Sequence, residues 1–131
     1  MDDSMLIEIL KEVQNKYQCI TEIDRITREI GESLSRNDRA SVQLLLGMRQ
    51  EEMDQVDIHE RNINCLLSAL PPVETDQVMG WIKGNDAHKP EGPVAEKLVE
   101  RGKSFQLLMK RVIEMDRLIS TRLAGKDSFY S

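Results

Sequence analysis

The segment PPVETDQVMGWIKGNDAHKPEGP, residues 71–93, holds seven of the chain's eleven glycine and proline residues. Proline lacks an amide donor and glycine costs backbone entropy, so a cluster of both ends helices. Elsewhere the chain is nearly free of breakers. The segment therefore divides the 131 residues into a helical hairpin before it and one long helix after it. A connection of this length without structure is uncommon, and TDQVMGWIK, residues 75–83, predicts a short helix capped by Thr75. Trp81, the only tryptophan, is expected to pin this connector onto the bundle end. The alternative makes it part of a binding edge, where tryptophan is enriched.

Upstream, apolar residues recur at spacings of three and four. Leu6, Ile9, Val13, Ile20, Ile23, Ile30 and Leu34, with Tyr17 and Ile26 at the edges, predict a first helix over about residues 4–35. Asp3 or Ser4 can cap its start. SRND, residues 35–38, is the turn, and Asn37 or Asp38 can cap a second helix over about residues 38–70. Its seam is Val42, Leu45, Leu46, Met53, Val56, Ile63, Leu67 and Leu70, and Pro71 and Pro72 stop it. Downstream, Pro93 suits a first helical position and Gly125 a C-terminal cap, which places a third long helix over residues 93–124. Each helix is roughly 45–50 Å long at helical rise. The predicted architecture is all-α: one domain, an antiparallel three-helix bundle of long coiled-coil-like helices with a Gly/Pro-rich connector at one end.

The composition fits such a bundle. Hydrophobic residues make up 40% of the chain but aromatic residues only 4%, so the core must be aliphatic. The net charge of −5 repels phosphate backbones and argues against nucleic acid as a partner. There is no apolar run of about 18 residues to span a membrane, and the acidic start MDDSMLIEIL is unlike a secretory signal. A cytoplasmic protein is expected.

The tight turn also sets a register, in which facing residue numbers of the first two helices sum to about 73. Cys19 and Cys65 then lie some 16 Å apart along the axis, beyond the reach of a disulfide. The same register sets Arg49, which interrupts the second seam, opposite Asp24. An Asp24–Arg49 ion pair is one expectation. The other is that Arg49 extends along the surface to water.

Nothing in the chain has the pattern of an enzyme. It lacks a Gly-rich phosphate loop, a GxSxG elbow and a CxxC pair. His59 and Glu60 are adjacent and point apart, whereas helical metal ligands sit three or four residues apart. No catalysis, cofactor or metal is expected.

The surplus of apolar residues on the third long helix is more informative. In SFQLLMKRVIEMDRLISTRL, residues 104–123, the side chains Phe105, Leu108, Met109, Val112, Ile119 and Leu123 form one stripe. Leu107, Met115 and Leu118 fall on another, and Leu44 and Met48 stand similarly off the seam of the second helix. One reading is packing: each helix of a three-helix bundle meets two neighbours, and Leu44 and Met48 meet the end of the third long helix. The other is a surface that grips an amphipathic helix, with Leu107, Met115, Leu118 and Ile113 as partner-binding residues. The seven methionines favour that second reading.

The layout resembles small bacterial flagellar type III export chaperones of the FlgN and FliT kinds. LLLGMRQEEMDQVDIHERNINCLLSAL, residues 44–70, is similar to their long Leu-rich second helix, and VIEMDRLISTRL, residues 112–123, to the terminal amphipathic helix offered to cargo. The resemblance implies binding without catalysis. The chaperone would hold the amphipathic C-terminal helix of a hook-associated or filament-cap subunit, helix in groove, and prevent its assembly before export. Two alternatives differ in class: a structural coiled-coil protein whose second stripe forms a homodimer, and a helical regulator of another cytoplasmic protein.

Overall fold

The computed structural model describes residues 3–124. All regular structure among them is helical: α1 (Asp3–Ser35), α2 (Arg39–Ser68), α3 (Pro72–Ile82) and α4 (Pro93–Ala124). The proposed cap Gly125 lies outside the described residues.

The α1 seam closes as its spacing requires. Leu6, Ile9, Val13, Ile20, Ile23, Ile30 and Leu34 are all buried, as is Ile26. At the turn, Asn37 takes the left-handed conformation, with φ 55°, which asparagine tolerates better than most residues. Asp38 is the cap: its carboxylate accepts the Ser41 amide at 3.1 Å and the Ser41 hydroxyl at 2.6 Å. Those bonds hold its pKa below the usual aspartate value. The hairpin register is close to the expected one. Glu12 meets His59 and Asn62, Lys16 meets Glu60, and Thr27 meets Arg49. Both cysteines are free, Cys19 half-buried and Cys65 exposed. Burial, followed by a hydrogen bond to Glu52 and the charge of that residue, raises the Cys19 pKa.

The connector folds differently in one detail. α3 begins at Pro72, three residues before Thr75. The Thr75 hydroxyl does not cap it. It donates toward the carbonyl end of α2, lying 3.0 Å from Leu67 O and 3.1 Å from Pro71 O. Trp81 is buried and its Nε1 donates to His88 O at 2.8 Å, tying the loop to the bundle.

α4 runs beside α1 in the same direction. Arg101 stacks on Tyr17, Arg111 binds Asp24, and Arg122 binds Ser35. α1 is thus the central helix, packed along its length by α2 on one side and α4 on the other, while α2 and α4 meet only in passing. A closed bundle in which each long helix meets two neighbours would have needed a longer α2–α4 seam.

The core is divided accordingly. At the lower end, where α1 starts and α2 finishes, Ile9, Leu67, Val78, Trp81 and Leu98 join all four helices. At the upper end Ile30, Leu34, Val42, Leu45 and Ile119 join α1, α2 and α4. Between them the buried cluster is Ile20, Ile23, Leu108 and Val112, from α1 and α4 alone. Leu44 and Met48 are exposed and lie beside α1, with Glu29 and Glu32, so they do not meet the end of α4.

Candidate functional site

α2 buries Val42 and Leu45 near its start and Ile63 and Leu67 near its end, and nothing fully in between. The intervening MRQEEMDQVDIHERN, residues 48–62, is too rich in charge to be sealed. α2 stays on α1 through this stretch, with Arg49, His59 and Glu60 reaching Thr27, Glu12 and Lys16, but it stands off from α4. The result is an open groove of about 450 Å³ between α2 and α4, floored by Ile20, Ile23 and Thr27 of α1. That volume is on the scale of sites that take a small ligand or a few side chains (~300–1,000 Å³).

The walls are mainly apolar, with Arg49, Gln50 and Asp57 on α2 and Asp116 on α4 among their polar residues. Met53 and Val56 line the groove from α2, and Met109, Val112 and Ile113 from α4. Met53 is 44% exposed and Ile113 50% exposed, so both walls present uncovered hydrocarbon. Arg49 crosses the groove: its Nη1 donates to Asp116 on α4 at 2.7 Å and lies 3.4 Å from the Thr27 hydroxyl.

The expected Asp24–Arg49 pair is therefore not formed. Asp24 lies on the α4 side of α1, fully buried beneath two arginines. Its Oδ2 accepts from Arg28 at 2.9 Å and from Arg111 at 3.1 Å. The register put the two residues at one level, but α1 rotates Asp24 toward α4 and leaves Thr27 beside Arg49.

The rims carry opposite charge. On α2, Asp54 and Asp57 follow Met53 by one and four residues, and both are exposed. On α4, exposed Lys110 and Arg117 flank Ile113 at spacings of three and four, which places them on the same part of the helix surface. Arg49 on α2 and Asp116 on α4 also line the groove but are paired with each other, so the charge outside that pair is acid on the α2 rim and base on the α4 rim.

The four expected partner-binding residues do not share one surface. Ile113 lines the groove. Leu107 and Leu118, 71% and 64% exposed, sit roughly 120–140° away round α4, on its outer side. Met115 is half-buried and packs on the upper core. Met53 and Val56, expected in the α2 seam, line the groove instead. Their spacing was right, but spacing alone does not bring a neighbour close enough to cover them. The interruption of that seam by Arg49 and its charged surroundings was the available signal. No group of three or more His, Cys, Asp or Glu side chains is placed to hold a metal among the described residues. No helix among them is long and apolar enough to cross a membrane.

The chain was compared with protein-family models, curated proteins and solved structures, and none matches it.

Proposed function

We propose that this chain is a helix-binding protein whose α2–α4 groove holds an amphipathic helix of another protein. The observation that carries the reading is the stand-off of α2, which leaves Met53 and Ile113 uncovered on facing walls above an apolar floor. Paired apolar walls accept a stripe of side chains spaced i, i+3, i+4 and i+7. Methionine, unbranched and polarisable, adapts to side chains of different shape. The oppositely charged rims ask for acid on the flank of the guest facing α4 and base on the flank facing α2.

Within that reading, the resemblance to flagellar export chaperones supplies the biological role. The guest would be the C-terminal helix of a hook-associated or filament-cap subunit, kept from polymerising until export. Covering the oily stripe of the guest suffices for this, and the chain needs no catalytic group. The arrangement of three long helices in an antiparallel bundle belongs to the same proposal, as the frame that keeps the groove open.

Titration of a labelled amphipathic peptide with those flanking charges, read by fluorescence anisotropy, tests the groove. Met53→Ser with Ile113→Ser should weaken binding at least tenfold while leaving the melting temperature nearly unchanged, because both residues are exposed in the free protein. Leu107→Ser should not affect binding. Unchanged affinity in the groove variant, or loss on Leu107→Ser, rejects the groove. Recovery of a hook-associated or filament-cap subunit with the wild-type chain, but not with the groove variant, from flagellated cells tests the cargo separately.

A further inference from the structure

The outer side of α4 repeats a pattern the groove does not use. Leu107, Arg111, Glu114 and Leu118 follow spacings of four, three and four, which places them within a stripe about 60° wide. All four are exposed. The order Leu–Arg–Glu–Leu is symmetric in a chemical sense. The leucine pair and the charged pair share one centre, between residues 112 and 113.

We infer that this face binds a second copy of the chain, α4 against α4 in antiparallel orientation about a two-fold axis. In that register Leu107 faces Leu118 of the second copy and Arg111 faces its Glu114, and symmetry repeats both contacts. An isologous interface requires this self-complementarity. The parallel alternative sets Arg111 on Arg111 and Glu114 on Glu114, and like charges in apposition are rejected. Arg111 is already oriented: its Nη2 is held by Asp24 at 3.1 Å. The rest of its five-donor guanidinium is free for a carboxylate, and its side chain is 61% exposed. The stripe lies on the opposite side of α4 from Met109 and Ile113, so the dimer leaves the groove open. The inference does not depend on the groove having a guest. With two leucines per chain at its centre, the interface belongs to the small, weak class.

Sedimentation velocity up to millimolar concentration should show a reversible monomer–dimer equilibrium. Glu114→Arg should raise its dissociation constant at least tenfold without lowering the melting temperature of the monomer. The register has its own test. In a Cys19→Ser, Cys65→Ser background, a mixture of Leu107→Cys and Leu118→Cys chains should form an intermolecular disulfide on mild oxidation at least ten times faster than either variant alone. Identical positions lie about 16 Å apart in this dimer, outside disulfide reach. A chain that stays monomeric throughout, a dimer indifferent to Glu114→Arg, or Leu107→Cys chains that cross-link with themselves as fast as the mixture would each overturn the inference.

Discussion

At the lower end of the molecule α2, α3 and α4 close on the start of α1, and backbones touch where α4 passes the connector. Fifteen or so ångströms further up, the same α2 and α4 flank the same α1 and leave a groove (the axial distance is about ten residues at helical rise). Both regions are lined by aliphatic side chains at heptad-like spacing. The difference lies in what allows approach. At the lower end Gly102 lets α4 meet the connector with no side chain between them, and Pro71 and Pro72 turn the chain into a lid that carries Trp81. In the middle α2 carries charge on much of its surface, and although Met53 and Val56 reach the groove, residues 48–62 include no glycine, alanine or serine that would let α4 come close. Sealing and opening thus depend on what lies between α2 and α4: α3 and its loop fill that place at the lower end, and nothing among the described residues fills it further up.

The largest expected effect falls on that close approach. A Cβ on Gly102 would lie 2.5 Å from Gly84 N, 2.5 Å from Ile82 O and 2.7 Å from Trp81 O. These are backbone atoms and cannot move without shifting the connector. Gly102→Ala should cost about 3 kcal/mol or more, the upper range of overpacking. Gly47→Ala is the matched control, since nothing lies within 4 Å of its added Cβ. On an exposed helix face that change should stabilise by about 0.5–1 kcal/mol. Chemical denaturation of both variants checks the pair. Equal effects of one sign would mean that the lower end is not closed as described.

The second contrast concerns side chains. Leu98 is fully buried at the lower end, and Leu98→Ala should cost about 2–5 kcal/mol. Val56 belongs to the same kind of seam but lines the groove and is only half-buried. Val56→Ala should cost about 1 kcal/mol. Urea midpoints measured at constant m-value give both numbers. A cost at Val56 matching that at Leu98 would mean that α2 closes onto α4 in solution.

The legible part of this fold is local. The α1 seam, the SRND turn, the cap at Asp38 and the stop at Pro71 each depend on a few neighbouring residues, and all were readable. Readings that needed the placement of α4 fared worse. Nothing in its own neighbourhood of the sequence marks Gly102, because its meaning comes from Gly84, eighteen positions earlier and outside α4. Thr75 reads as a helix start by type, yet its hydroxyl turns back to α2 because Pro72 already opens α3. At the candidate site, periodicity marked Leu107 and Leu118 correctly as off the core, since that depends on α4 alone. It grouped Ile113 with them and put Met53 and Val56 inside, because coverage depends on the distance to a neighbour and sequence spacing gives only direction.

The smallest expected effect tests the contact that reaches across the groove. Arg49 and Asp116 form an ion pair at 2.7 Å between side chains that are 14% and 49% exposed. Half-open geometry weakens the attraction through water, while the burial of Arg49 makes loss of its partner felt. A double-mutant cycle with Arg49→Ala and Asp116→Ala should give a coupling of about 1 kcal/mol, near the top of the range for exposed pairs. The cycle with Arg49→Ala and Asp24→Ala should be additive within about 0.5 kcal/mol, because Asp24 is engaged by Arg28 and Arg111 instead. Coupling to Asp24 without coupling to Asp116 would place the guanidinium on the far side of α1. It would then no longer cross the groove, and α4 would have to be rotated about α1 from the position that exposes Ile113. The two cycles therefore measure more than one ion pair: they report whether α2 and α4 are joined by a side chain where their backbones stay apart.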